Sequence, residues 1–237
     1  LFGSYPRPTP PAVHEFYSDF DTYLASQWIV TTATGTSALA AGNGGFLLQT
    51  TSAGATDIQA NELSVKSFNL ITGARAWFAI NVNLDSATLS LFQAGWANTF
   101  ATMAPTDGIY FEKPSGAAVL NLILNKGGTK TTLLVGTVAA ATAYTLGWYY
   151  DGSATPTLYA YATIGLTIPT SQGQPYWAGG NQRIISASAD GSNANPLTNL
   201  PLAATGLTAG FGIKNSTAVA RTNTVDYFLT ANEIVRF

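Results

Sequence analysis

The chain has 237 residues, of which 46% are hydrophobic and only 9% charged, with a formal net charge of −2. An ordinary soluble domain draws on about 25% charged residues, so this exterior must be built from hydroxyls, amides and backbone. Ten basic residues scattered without a patch argue against nucleic-acid binding. The absence of cysteine removes disulfides, thiolate nucleophiles and Cys-ligated metal.

Taken in order, residues 1–25 read as a proline-rich N-terminal arm, with Pro6, Pro8, Pro10 and Pro11 favouring an extended backbone and Phe2 and Tyr5 as apolar contact points. The opening LFGSYPRPTPP has no apolar core and is not read as a signal peptide. No apolar run reaches membrane-spanning length. Residues 14–24 fit either one helical turn or a first outer strand. From residue 26 to 237 the pattern is a single β domain. Residues 28–34 alternate as a strand, and 35–45, GTSALAAGNGG, read as a loop. Residues 46–51 and 62–70 read as the next two strands, the latter with Leu63, Val65 and Phe68 inward and a bulge at Lys66-Ser67. Residues 74–84 alternate cleanly, with Ala76, Phe78, Ile80, Val82 and Leu84 on one face and Trp77, Ala79, Asn81 and Asn83 on the other. Residues 88–96 are expected to pair with them around Asp85-Ser86. A loop over 98–107 leads into the short strand IYFEK. Residues 117–125 and 129–135 form a hairpin about Lys126-Gly127-Gly128.

The strongest signal is residues 144–163, YTLGWYYDGSATPTLYAYAT. Tyr144, Leu146, Trp148 and Tyr150 share one face of the outgoing run. The return run carries Leu158, Ala160 and Ala162 on one face and Tyr159 and Tyr161 on the other. Asp151-Gly152 supplies the reversal. Residues 165–180 are irregular, 182–185 begin as a strand, and 207–213, 219–229 and a short strand ending at Phe237 close the fold. A dozen to fourteen strands with regular turn signals, and no amphipathic helix, predict one all-β antiparallel sandwich.

The chemistry is sparse. A glycosidase needs two carboxylates facing each other about 5–9.5 Å apart, and no E-x-D-x-x-E strand motif occurs. Asp107, Asp151 and Asp190 each precede glycine and read as turn residues. Glu112, two residues past Tyr110 on a short strand, could face a concave sheet and is the remaining acid weighed for catalysis. His14 lacks a sequence context for a nucleophilic triad. The loops 52–57 and 190–195 offer one carboxylate each plus amides and carbonyls, so that a calcium site there stands as the alternative to an ordered surface loop. No catalytic residue, metal ligand or cofactor is assigned. Exposed aromatics are the remaining candidates for contact with a partner protein or a glycan: Phe2, Tyr5, Tyr149, Tyr159, Tyr161, Tyr176 and Trp177.

The runs GGFLLQTTSAGATD, SFNLITGARAWFAINVNLDSATLSLFQAGWAN, TDGIYFEK and YTLGWYYDG resemble the concanavalin A-like (laminin-G-like) jelly-roll proteins of tailed-bacteriophage virions. The resemblance implies a concanavalin A-like jelly roll with an extended N-terminal arm and no enzymatic activity. It further implies a decoration, cement or capsid-fibre protein on the capsid surface, assembled in the host cytoplasm. Its partners would be the major capsid protein or other virion subunits, and copies of itself, as a trimer. The same fold serves carbohydrate-binding modules, which leaves a glycan as the alternative partner.

Overall fold

A computed structural model of the chain describes residues 13–40, 45–162, 182–188, 195–202 and 204–234. Sixteen strands lie among the described residues. They are β1 (Val13–Ser18), β2 (Trp28–Thr32), β3 (Thr36–Ala40), β4 (Phe46–Thr50), β5 (Ile58–Leu63), β6 (Ala76–Leu84), β7 (Ser90–Ala97) and β8 (Gly108–Lys113). The rest are β9 (Val119–Lys126), β10 (Thr129–Thr137), β11 (Thr142–Tyr150), β12 (Thr157–Ala162), β13 (Gln182–Ser188), β14 (Asn195–Pro196), β15 (Thr208–Asn215) and β16 (Thr222–Glu233). A nine-stranded sheet runs β14-β13-β12-β11-β6-β16-β4-β3, with β1 paired to the later part of β16. A seven-stranded sheet runs β10-β9-β8-β7-β15-β5-β2. Among the described residues only the short β13–β14 pairing is parallel. This is the all-β antiparallel sandwich that the alternation predicts.

The two-residue period decides what enters the shared interior, because successive side chains point to opposite faces. Ala76, Phe78, Ile80, Val82 and Leu84 of β6 all face inward, while Trp77 and Ala79 lie in a separate cluster on the outer face. Tyr144, Leu146, Trp148 and Tyr150 enter the same interior, opposite Phe92, Ala94 and Trp96 of β7. Trp96 and Trp148 meet edge to face across the sandwich at 4.8 Å, and Trp96 Nε1 donates to Thr230 Oγ1 of β16 at 2.6 Å. Phe78, Phe228, Trp28 and Phe211 continue the ring contacts at 5.4–5.6 Å. The hairpin β9–β10 closes on Gly127 and Gly128, whose φ of +56° and +85° match a two-residue primed turn.

Several sequence expectations are corrected. Residues 36–40, read as loop, form β3, an edge strand whose small, half-polar residues weaken its periodic signal. The strand read at 62–70 is Ile58–Leu63 instead. Val65 is exposed, and Phe68 reaches the core through an isolated bridge to Leu207. Residues 88–96 do not pair with β6: the chain crosses between sheets at 85–89, and β7 pairs with β8 and β15. The strand expected over 219–229 is Thr222–Glu233, with a shift between Val225 and Tyr227, and the expected end of a last strand at Phe237 lies outside the described residues. Of the two readings of 14–24, the structure has the outer strand: β1 pairs with β16, and Phe20 lies in the core.

One charge is held inside. Lys113 ends β8 facing the interior and is fully buried, its ammonium donating to the carbonyls of Ser90 and Ala87. Burial pulls its pKa down to about 8, against the partial support of Asp85. The unfolded chain keeps this proton to about 10.4, so between those values unfolding takes up a proton and stability rises with pH. Chemical denaturation of wild type between pH 8 and 10 should show that rise, and Lys113→Met should lose it.

Candidate functional site

The outer face of the seven-stranded sheet is divided in two. Over β15, β7 and β5 it carries almost no side chain, because Gly210, Gly212, Gly95 and Ala60 stand there. A Cβ on Gly210 would lie 2.9 Å from the Phe100 ring, and one on Gly212 would lie 2.7 Å from Met103 Sδ. The glycines thus make the trough into which loop 98–107 sets Phe100 and Met103, both buried with Tyr110 and Ile123. Glu62 of β5 pins the loop, its Oε2 accepting from the Phe100 amide at 2.7 Å and Thr99 Oγ1 at 3.1 Å. At the other end Asn125 Nδ2 donates to Pro105 O at 2.7 Å.

Beyond the loop the face is polar and opens step by step, from buried Gln93 through half-buried Glu112 and Asn121 to exposed Leu134. Gln93, Glu112, Asn121 and Leu134 are register partners in turn across β7, β8, β9 and β10. With strands about 4.8 Å apart, the row runs roughly 14 Å. Glu112 Oε2 accepts from Gln93 Nε2 at 2.7 Å and pairs with Lys130 Nζ at 3.4 Å, leaving Oε1 outside both bonds. Lys130 lies 6.0 Å from the centre of the Tyr110 ring. Burial pulls the Lys130 ammonium down, but Tyr110 and Glu112 outweigh it and hold it above its ordinary value. Burial pushes the Tyr110 phenol up, so it stays a neutral hydroxyl. At the end of the row Leu134 is 65% exposed, an apolar surface beside three polar side chains.

This row joins the expected Glu112 to Gln93, Asn121, Lys130 and Leu134, which sequence reading leaves as ordinary strand residues. The available signal was polar residues interrupting apolar runs. Only the register shows that they form one line.

The predicted contact aromatics fall elsewhere. Tyr149, Tyr159 and Tyr161 gather on the outer face of the nine-stranded sheet with Trp77, Leu229 and Ala231. Tyr149 stacks on Tyr159 at 6.0 Å and meets Trp77 at 5.5 Å. Tyr149 and Tyr161 are buried, and Tyr159 is half-buried. Arg75 lies 5.6 Å over Trp77 and pairs with Glu233, the guanidinium Nε donating at 2.8 Å and the backbone amide at 2.9 Å. Phe2, Tyr5, Tyr176 and Trp177 lie outside the described residues, as does Asp190. The other turn carboxylates do structural work. Asp57 Oδ2 accepts from the Ser52 amide at 2.5 Å, Asp107 Oδ1 from Gly127 at 3.0 Å, and Asp151 Oδ1 from Ser153 and Thr157 at 3.0 and 2.9 Å. Among the described residues no group of three or more His, Cys, Asp or Glu side chains is placed to hold a metal ion.

No family model matches the chain, and no curated protein does. Solved structures do match. A Shewanella oneidensis MR-1 protein of unknown function aligns with a TM-score of 0.59 at 10% identity, covering 99% of this chain and 99% of that one. Peanut lectin aligns with a TM-score of 0.56 at 11% identity, over 95% of this chain and 99% of the lectin. The CBM2 module of the evolved Dit of Lactobacillus casei BL23 phage J-1 aligns with a TM-score of 0.54 at 10% identity, over 95% and 98%. At such identities the likeness is one of fold: a two-sheet antiparallel sandwich consistent with a concanavalin A-like jelly roll.

Two outcomes follow from this geometry. Glu62→Ala strands the buried Phe100 amide without its acceptor and should lower unfolding free energy by about 1–3 kcal/mol in urea titration. At Glu233 burial pushes the carboxyl up, but the Arg75 hydrogen bonds outweigh it and hold the group below its usual range. Its stabilisation is therefore complete above about pH 4.3, the unfolded value, and is lost as pH falls through the lower folded value. Glu233→Gln should lower the Tm at pH 7 and flatten the acid limb of the Tm–pH curve.

Proposed function

We propose that the chain is a carbohydrate-binding jelly-roll module that acts without catalysis, with its site on the open half of the seven-stranded sheet. The observation that carries this is the register line Gln93–Glu112–Asn121–Leu134. The Glu112 carboxylate and Asn121 amide, backed by the buried Gln93, exchange hydrogen bonds with vicinal hydroxyls, and the exposed leucine at the end of the line takes the apolar face of a sugar ring. Lys130 holds Glu112 in place while one carboxylate oxygen stays available. Glycosidic hydrolysis calls for a second carboxylate across the bond. The other carboxylate described on this face, Glu62, is engaged with the loop amide. The lectin and the phage module of like fold add support for a sugar ligand.

The phage Dit module also favours placing the protein on a virion. In that setting a surface with few charges suits packing against other subunits, since each buried charge needs a partner. Head decoration through contacts with the major capsid protein, as a homotrimer, is the second reading.

Affinity electrophoresis in gels containing bacterial cell-surface polysaccharides tests the first reading. Wild type should be retarded by at least one polymer. Glu112→Ala with Asn121→Ala should migrate as in a polymer-free gel while keeping the β-sheet circular dichroism of wild type, at a lower Tm because the buried Gln93 Nε2 loses its acceptor. Equal retardation of wild type and the double variant would refute the assignment.

A further inference from the structure

We infer that a second site, a cavity between the free edges of the two sheets, takes a single neutral sugar ring. The cavity holds about 200 Å³ and lies where β1, in the nine-stranded sheet, faces the end of β5, in the seven-stranded sheet, and residues 26–27 of the short 3-10 turn that leads into β2. Pockets for drug-sized ligands run from about 300 Å³ upward, so this volume suits one ring rather than a chain.

Its chemistry is divided in the way a pyranose is. Leu63, Val65 and Phe16 supply apolar wall. Val65 is 60% exposed, and a large aliphatic side chain left open beside polar groups offers a platform for ring C–H groups. His14, Ser26, Gln27, Ser64 and Ser67 supply hydrogen-bonding groups from three separate segments. Ser67 Oγ and His14 Nε2 are bonded to each other at 2.6 Å, which fixes the imidazole against Phe68, 5.0 Å away. The Ser64 amide donates to Gln27 O at 3.0 Å, tying the 26–27 and 63–67 walls together. Hydroxyls and amides both donate and accept, as sugar hydroxyls do. Glu15, exposed at the rim of the cavity between His14 and Phe16, adds a negative charge nearby that disfavours an anionic ring. The site shares no residue with the Gln93–Leu134 row. It depends on the carbohydrate reading only for its ligand class.

The test is amide NMR on the 15N-labelled full chain, titrated separately with methyl α-D-mannopyranoside, methyl β-D-glucopyranoside, N-acetyl-D-glucosamine and sodium glucuronate. At least one neutral sugar should shift the amides of residues 64–67 and 27, with a Kd of about 1–10 mM, and glucuronate should not. Val65→Asp, a change at an exposed position, should weaken that binding at least tenfold. Glu112→Ala should leave it unchanged. The proposal is overturned if no neutral sugar shifts these amides by about 50 mM, if glucuronate binds as well as the neutral sugars, or if Val65→Asp binds like wild type. Loss of the shifts in Glu112→Ala would also overturn it, since the effect would then belong to the sheet face. Silence at the cavity while polysaccharide retardation persists would sink this site and spare the first one.

Discussion

The contact on which the rest depends is the meeting of Trp96 and Trp148 between the sheets. Their rings touch edge to face, and the Trp96 indole N–H is satisfied by a threonine of the opposite sheet rather than by water. That bond lets Trp96 lie fully buried with its donor satisfied, whereas Trp148 Nε1 is buried without a hydrogen-bond partner, a cost of about 1–3 kcal/mol that the ring packing must offset. Phe68 packs on Trp96 from one side, and Phe78 stacks on Trp148 from the other. Aromatic pairs of this kind add about 0.5–1.5 kcal/mol each beyond the area they bury. They also fix the phase of β7 and β11. A slip of one residue would send every inward ring to the outside.

The same phase sets what the outer faces carry. With Phe92, Ala94 and Trp96 inward, Leu91, Gln93, Gly95 and Ala97 must point away from the interior, and Gln93 falls into line with Glu112 and Asn121. Glycine on β15 and β7 then bares half of the face, and loop 98–107 fills it with its own Phe100 and Met103. The loop leaves the polar row as the open half. A rigid, fully hydrogen-bonded sheet presenting amide and carboxylate groups at fixed spacing loses little entropy when it binds, which favours weak but selective ligands such as sugars.

Much of this fold was legible from period-two alternation. Residues 76–84 and 144–162 carry large apolar side chains at every second position, and their inner and outer faces are as the pattern reads. Reading fails where the signal is weak or non-local. Thr36–Ala40 is an edge strand of small residues. Phe68 enters the core from a stretch without regular pairing. Asp85-Ser86 resembles a hairpin turn, yet the chain there changes sheets, because β6 is paired on both sides by β11 and β16 and β7 by β8 and β15, which leaves neither an edge for the other. The site was less legible for a similar reason. Glu112 stood out as a lone acid on a strand, but its partners lie 19, 9 and 18 residues away and only register joins them. Aromatic richness drew attention to Tyr149 and Tyr161, which the structure buries among other rings.

The most direct test of the account is a co-crystal structure with an oligosaccharide cut from whichever polymer retards the protein. The account predicts an oligosaccharide lying along the outer face of β7 to β10, with hydroxyls bonded to Glu112 and Asn121 and a ring over Leu134. An oligosaccharide on the Trp77–Tyr149 face of the other sheet, with the Gln93–Leu134 row empty, would contradict it.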